Sequence, residues 1–417
     1  MILYTKQIKD TIMNYTHFSC CKIAMLSGIA LSVLMLGACN EKPDNPGPTP
    51  TSNKAGLISD QDKLDMIYSL VDLEGDKGRI YEMTYTVDYK LEEALDANIV
   101  GTTSLVQFTM QHLMDRIPGK NTSLSFNASC SVFACTDPAT NNFLMGRNFD
   151  FNHKDKNGER VMIPAIVVHT APVGGKKSVS FVDGQFINYK SGFYTDGESD
   201  LSMLMALPYL LLDGINEDGF AISVLKLDGK PTRQQEEGKK NIFTTVAMRM
   251  LLDRASTVNE AVEMLKQYNM WMDDDPASYH YFMADATGDY AIVEYVKNDP
   301  LDSDEYPTKM EVLKGKDAWR FVTNFYASPS MSDSPDGSLH SKHGKDRYNI
   351  LSANLAAINY KLNSSQAMEL LRKVAQGPES ELSTGFTQWS EVFNLSKRTV
   401  KMSILREYDK SFEFGIE

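Results

Sequence analysis

What most constrains the fold of this chain is a change of periodicity near Ser123. Ahead of it, residues 57 to about 116 carry apolar side chains at helical spacing. Leu64, Ile67, Leu70 and Val71 form one such stretch, and Leu91, Leu95, Val100, Leu105, Phe108, Met110 and Leu113 a second. Ser59-Asp60 can cap the first, and Gly119 and Asn121 mark a turn after the second. From Ser123 the chain breaks into strand-like runs, SLSFNASCSVFAC and FLMGRNFDF, joined by the turn-rich TDPATNN, then IPAIVVHTA, KSVSFVD and GFAISVLKL. Two helices interrupt this β-rich body. VNEAVEMLKQY starts behind the capping pair Thr257 and Glu260, and SSQAMELLRKVAQ stops at Gly377-Pro378. Between them HYFMADATGDYAIVEYV reads as a hairpin turning at Thr287-Gly288-Asp289, and TQWSEVFNLSKRTVKMSI supplies two closing strands. The pattern predicts an α+β fold, two antiparallel sheets face to face with helices outside, in one catalytic domain from about Ala55 to Glu417.

The first 39 residues follow a different logic. Lys6, Lys9 and Lys22 precede an apolar run from Ile23 to Ala38 that ends Leu36-Gly37-Ala38-Cys39. A basic flank, a short apolar core and small residues before the cut describe a secretory signal, too short for a membrane span of roughly 20 residues. Cysteine directly after Leu-Gly-Ala resembles a bacterial lipobox, which implies a lipid on Cys39. Residues 40–56, NEKPDNPGPTPTSNKAG, hold four prolines and polar filler and are expected to stay extended as a tether. The expected division is therefore 1–39 signal, 40–56 linker, 57–129 helical leading segment and 130–417 catalytic body. Asn40 after the lipid-bearing cysteine favours the outer membrane of a bacterial envelope, by resemblance to lipoprotein sorting rules.

Cysteine use narrows the chemistry. Of five cysteines, Cys20 and Cys21 leave with the signal and Cys39 takes the lipid, so only Cys130 and Cys135 belong to the body. That excludes a disulfide framework. Their spacing of five also puts the two on opposite faces of a strand, so at least one is a free thiol, for packing or for attack. The formal charge of −13 and the lack of a basic cluster argue against nucleic acid as partner. Seven histidines form no metal pattern: His340 and His343 are close, but no third ligand is near, and neither metal nor cofactor is expected. His280 could serve a cysteine as general base, although a histidine on a strand is more often packing.

The string Gly146-Arg147-Asn148-Phe149-Asp150 behind Cys130 differs in kind. It resembles the start of the choloylglycine hydrolase superfamily, which includes bile salt hydrolases, penicillin V acylases and the acid ceramidase group. The resemblance continues in order through Asp213-Gly214-Ile215-Asn216-Glu217-Asp218-Gly219-Phe220, the hairpin from His280 to Glu294, Val322-Thr323-Asn324, Asp346-Arg347-Tyr348 and Phe386-Thr387-Gln388-Trp389. It covers about 120 to 410. It implies an N-terminal nucleophile hydrolase, an αββα sandwich, and a cut between Ser129 and Cys130 that makes Cys130 a terminal residue. Cys130 would then be the nucleophile, its freed α-amine the proton relay, and Arg147 the charge that lowers the thiol pKa. Asp150 would hold the α-ammonium, Asn216 and Asn324 would supply oxyanion donors, and Arg347 would complete the charge network. Cys135 fits the family spacing to Arg147 less well than Cys130.

The long segment ahead of Cys130 resembles the acid ceramidase group more than simple bile salt hydrolases. Its apolar helices are expected to cover the body beside an acyl pocket, for which LSMLMALPYLLLDG (201–214) offers an apolar wall or, equally, buried core. The expected substrate is a linear non-peptide N-acyl amide with a hydrophobic acyl group, a conjugated bile acid or a fatty N-acyl amide. Two other readings stand beside it: a penicillin V acylase or acyltransferase on the same machinery, and a silent lipid-binding surface lipoprotein. A homo-oligomer is compatible with all three.

Overall fold

The computed structural model describes residues 55–56, 58–75, 77–114, 128–272, 277–335, 344–377 and 385–416. Cys39, the linker to residue 54, the turn at Gly119 and Asn121, and His340 and His343 lie outside the described residues. In chain order the elements are α1 (Gln61–Tyr68), β1 (Val71–Asp72), β2 (Ile80–Tyr85), α2 (Leu91–Asp96), α3 (Thr102–His112), β3 (Ala128–Thr136), β4 (Phe143–Phe151), β5 (Ala165–Thr170), β6 (Ser178–Asp183) and β7 (Leu211–Asn216). They continue with β8 (Ala221–Asp228), β9 (Lys240–Phe243), α4 (Thr244–Arg254), α5 (Val258–Leu265), β10 (Tyr268–Trp271), β11 (Ala277–Ala284), β12 (Tyr290–Val296) and β13 (Lys309–Leu313). The last are β14 (Phe321–Val322), α6 (Lys345–Ala357), α7 (Ser364–Lys373), β15 (Thr387–Asn394), β16 (Thr399–Ile404) and β17 (Phe412–Gly415).

Two sheets stack face to face. The larger runs β1-β2-β5-β6-β7-β8-β11-β12-β13 and the smaller β14-β3-β4-β15-β16-β17, while β9 and β10 form a separate parallel pair. β3 lies against β8 across the interface, α4 packs on β7 and β8, and α6 and α7 pack on the smaller sheet. This is the expected αββα sandwich. Its central strands are covered on both faces, which is why β6, β7 and nearly all of β4 and β15 are buried residue after residue instead of alternating. A polar side chain on such a strand has no water to turn to and must find a partner inside the protein.

The helices begin where their caps predict. Asp60 accepts from the Asp62 and Lys63 amides at the head of α1. Thr257 accepts from the Glu260 amide at the head of α5, although the Glu260 carboxylate reaches the Ser256 amide, one residue short of a closed box. Asn363 and Gln366 close a full box on α7, which ends at Lys373, ahead of Gly377.

The leading segment departs from the helical expectation. Ile80–Tyr85 is a strand, parallel to β5 with Ile80 opposite Ala165 and Tyr85 opposite Thr170. The run IYEMTY sets Tyr81, Met83 and Tyr85 on one face and Ile80, Glu82 and Thr84 on the other, the period of a strand, and β2 lies between β1 and β5. The second expected helix is two, α2 and α3, parted where Asn98 takes a left-handed φ of 54°. α1 and α3 pack on the 3-10 helical stretch Leu201–Tyr209. Tyr85 donates to Met205 O at 3.0 Å and Tyr209 donates to Tyr89 O at 2.6 Å. LSMLMALPYLLLDG is therefore core beneath the leading segment, with only Met203 partly exposed up to Leu212.

Ile80, Tyr81, Met83, Tyr85, Leu95, Leu105 and Phe108 are all buried in the main core. At about 1.5–3 kcal/mol per large apolar side chain, the segment is held by many independent contacts. A chain broken between Met114 and Ala128 is expected to elute as one particle in native size exclusion, and its two fragments to separate only in denaturant.

Candidate active site

The hairpin β3–β4 sets out the site by strand alternation. Cys130 is opposite Phe149 and Val132 opposite Arg147, while on the other side of β4 Trp389 is opposite Phe149 and Glu391 opposite Arg147. Those side chains share the face turned to the larger sheet. Ser131, Asn148 and Asp150 share the other, toward α6 and α7, where Asn148 Nδ2 donates to Leu371 O at 2.9 Å.

On the inner face, Cys130 Sγ lies 4.0 Å from Val224 O, and Arg147 Nη2 approaches the same oxygen at 3.4 Å. Arg147 is fully buried. Its Nε is 2.5 Å from Asp213 Oδ2 on β7, and its Nη1 donates to Asn148 O at 2.5 Å. The main chain of Cys130 is held from the other side. Its N–H donates to Asn324 Oδ1 at 2.6 Å, and Arg347 Nη2 donates to that oxygen at 2.8 Å. Arg347 Nη1 donates to Cys130 O and, at 2.8 Å, to Ser131 Oγ. It is also 3.6 Å from Asp150 Oδ2. Asp150 accepts from Gln376 Nε2 at 2.8 Å and Thr387 Oγ1 at 2.6 Å. Two donors on Asn324 Oδ1, with Nδ2 donating to Lys226 O at 2.9 Å, fix the orientation of that amide. Arg347 enters from the first turn of α6, whose start needs Gly344. The φ there is +78°, and a Cβ would meet Thr323 Oγ1 at 2.7 Å and Arg347 Nη2 at 3.0 Å.

Burial dominates the electrostatics. It pushes the Cys130 thiol above its ordinary value, with Arg147 and Arg347 pulling against it. It raises Asp150 likewise, opposed by Arg347, Thr387 and Gln376. Asp213 is raised by burial to about 6, against the pull of Arg147. Glu391 goes well above the carboxylate range, through burial and then the charge of Asp213. One guanidinium thus faces two carboxyl groups, both pushed toward the protonated form by burial.

Five of the six expected residues, Cys130, Arg147, Asp150, Asn324 and Arg347, come together. Asn216 does not, and its assignment as an oxyanion donor is corrected. It lies three residues from Asp213 on one strand, so the two point to opposite faces, and Asn216 faces α4. Its Nδ2 donates to Leu252 O at 3.0 Å and Ala255 O at 2.7 Å, and its Oδ1 accepts from the Asp218 and Phe220 amides at 3.1 Å. Asn216 closes the β7–β8 turn and the end of α4. Cys135 packs between the smaller sheet and α6 and α7, with its thiol pushed by burial to about 12. Sequence reasoning missed Asp213, although it opens the quoted Asp213-Gly214 string. It also missed Thr387, although that residue lies in the quoted Phe386-Thr387-Gln388-Trp389 string, and Glu391 and Gln376, which carry no motif of their own.

Residues 130–342, just over half the chain, match the sequence model of linear amide C–N hydrolases, choloylglycine hydrolase family. The chain belongs to the choloylglycine hydrolase family. It is a linear amide C–N hydrolase. Solved structures similar to it include a mutant of conjugated bile acid hydrolase from Clostridium perfringens, 14% identical over 69% of this chain and 92% of that one, with a TM-score of 0.45. A second variant of that protein aligns at 15% identity over 69% and 92%, TM-score 0.44. Penicillin V acylase from Agrobacterium tumefaciens aligns at 17% over 66% and 83%, TM-score 0.42. No curated protein matches the chain.

Two outcomes follow from this choloylglycine hydrolase geometry. Asn216→Ala leaves buried carbonyls and amides unpaired and is expected to cost about 2–3 kcal/mol of stability in denaturant melts, with kcat of the folded fraction unchanged. The raised carboxyls of Asp213 and Glu391 contribute stability that is fully present below the ordinary carboxyl pKa and lost as pH rises through their folded values. As pH rises from the ordinary carboxyl range through the Asp213 value of about 6, the wild-type Tm is therefore expected to fall, and Glu391→Gln, which cannot ionise, to reduce that fall.

Proposed function

We propose that this chain is a cysteine amidase that activates itself by a cut between Ser129 and Cys130. It then hydrolyses the linear amide of an N-acyl substrate with a hydrophobic acyl group. In the first step Cys130 Sγ attacks the Ser129 carbonyl carbon, the bond to the Cys130 nitrogen breaks, and that nitrogen takes up the thiol proton. Water then hydrolyses the thioester, leaving a Ser129 carboxylate, a free thiol and a free α-amine. In turnover the thiolate attacks the substrate carbonyl, the amine leaves with a proton relayed by the Cys130 α-amine, and water releases the acid from the acyl-cysteine.

The observation that carries this reading is the two-sided hold on Cys130. Its nitrogen is gripped by Asn324 from the loop after β14 and its carbonyl by Arg347 from α6, and its thiol shares the Val224 oxygen with Arg147. A packing cysteine needs neither. Asp150, opposite Ser129 in the hairpin register, is suited to hold the freed ammonium. Asn324 orients that amine and offers Nδ2 to the developing oxyanion, where one donor is typically worth about 100-fold or more in rate. The Cys39 lipid and the tether would hold the enzyme at a bacterial envelope, in our reading the outer membrane.

Intact mass and N-terminal sequencing of purified residues 40–417, beside Cys130→Ala, test the first half. A break before Cys130 in the wild type alone is expected. An uncut wild type with a thiol that resists alkylation would sink the proposal and leave the silent lipoprotein. For the second half, the cut protein is expected to release acid from bile acid conjugates or fatty N-acyl amides in preference to penicillin V.

A further inference from the structure

Asn324 holds the Cys130 nitrogen, yet its segment has little regular structure to hold Asn324. β14 ends at Val322, and residues 323–328 run on as loop. Two buried side chains of the larger sheet fix that loop. His280 on β11 and Glu294 on β12 are cross-strand neighbours, next to the pair Tyr281–Val293, and both are fully buried. His280 Nε2 is 2.9 Å from Thr323 O, and Nδ1 is 2.8 Å from Glu294 Oε1. Glu294 Oε1 accepts from the Ala327 amide and Oε2 from the Ser328 amide, each at 2.8 Å. Thr323 O can only accept, so Nε2 carries a proton, and one more proton lies between Nδ1 and the Glu294 carboxyl.

The pair thus bonds the backbone just before Asn324 and again three and four residues after it. Stability alone does not account for it. Burying ionisable groups costs several kcal/mol, and an apolar pair of similar volume is often as stable. What an apolar pair lacks is direction: it cannot specify where one carbonyl and two amides of a loop must lie. We propose that His280 and Glu294 are positioning residues, a clamp that sets the place of Asn324 and through it the nitrogen of Cys130. This rests on the reading of Cys130 as nucleophile. His280 is then neither the general base for the thiol nor mere strand packing.

The test is a double-mutant cycle on the full-length processed protein, with penicillin V, a bile acid conjugate or a fatty N-acyl amide, whichever the wild type turns over fastest. His280→Gln or Glu294→Gln alone is expected to lower kcat roughly 10- to 100-fold at unchanged KM, because a side chain displaced by about 1 Å costs on that order. In an Asn324→Ala background neither change is expected to lower kcat further. Multiplying losses, or a loss in KM alone, would overturn the clamp. Glu294→Gln keeps the shape of the pair and guards against a His280 variant that fails to fold. Amide hydrogen exchange at Ala327 and Ser328 gives a readout independent of turnover. It is expected to quicken in Glu294→Gln, and unchanged exchange there refutes the clamp. If the wild type hydrolyses none of the probes while that exchange quickens, the amidase reading fails and the clamp stands.

Discussion

The site depends on one contact, the ion pair between Arg147 and Asp213. A guanidinium between two sheets has lost its water, a penalty of several kcal/mol unless its donors and charge are met. Asn148 O and Val224 O take donors, the Phe149 ring lies 5.1 Å from the guanidinium carbon, and the Asp213 carboxylate takes the charge at 2.5 Å. Arg147 belongs to the smaller sheet and Asp213 to the larger, so the contact forms only when the sheets have docked. The same contact limits Glu391. A second full negative charge beside Arg147 would leave the group net negative and oppose a thiolate at Cys130, and burial and the charge of Asp213 push the Glu391 carboxyl toward its neutral form.

β3 divides the work around Cys130 between two layers. Its side chain points inward, where Arg147 and the Val224 carbonyl wait. Its backbone is reached by Arg347 from α6 and by Asn324 from the loop after β14. Charge from Arg147 acts on the thiol at the inner face, while the nitrogen is fixed by the Asn324 loop, which the larger sheet holds through Lys226 O, His280 and Glu294. Asp150 lies on the helix side, three residues from Arg147 and therefore on the opposite face. One five-residue string, GRNFD, thus serves both layers.

Much of this was legible because local strings carried it. Cys130, the GRNFD string, Asn324 and Arg347 sit in short motifs, and their order along the chain survives folding. Asn216 was misread because a motif names residues without saying which way they point, and strand alternation gave the site to Asp213 instead. Glu391 was invisible because its meaning comes from facing Arg147 across β15 and β4, a pairing no local pattern announces. Ile80–Tyr85 lay between two helical stretches and was absorbed into them, although its parallel partner β5 begins 85 residues after the start of β2. His280 read as packing because what gives it a role, the Thr323 carbonyl, is distant in the chain, although Glu294 closes the same quoted hairpin.

The charge count around Cys130 explains why such a site could do without a histidine. In the intact chain Cys130 has an amide nitrogen, and burial holds its thiol protonated despite two arginines nearby. The proposed cut would exchange that amide for an ammonium one residue along from the position opposite Asp150. A positive charge would then stand within bonding distance of Asn324 and close to Asp150, in a region of low dielectric where it favours a neighbouring thiolate strongly. The same nitrogen, once deprotonated, can accept and return the proton that attack and departure require. Activation and catalysis would then rest on one atom, the Cys130 nitrogen, whose position the hydrogen bond to Asn324 fixes before any bond is cut.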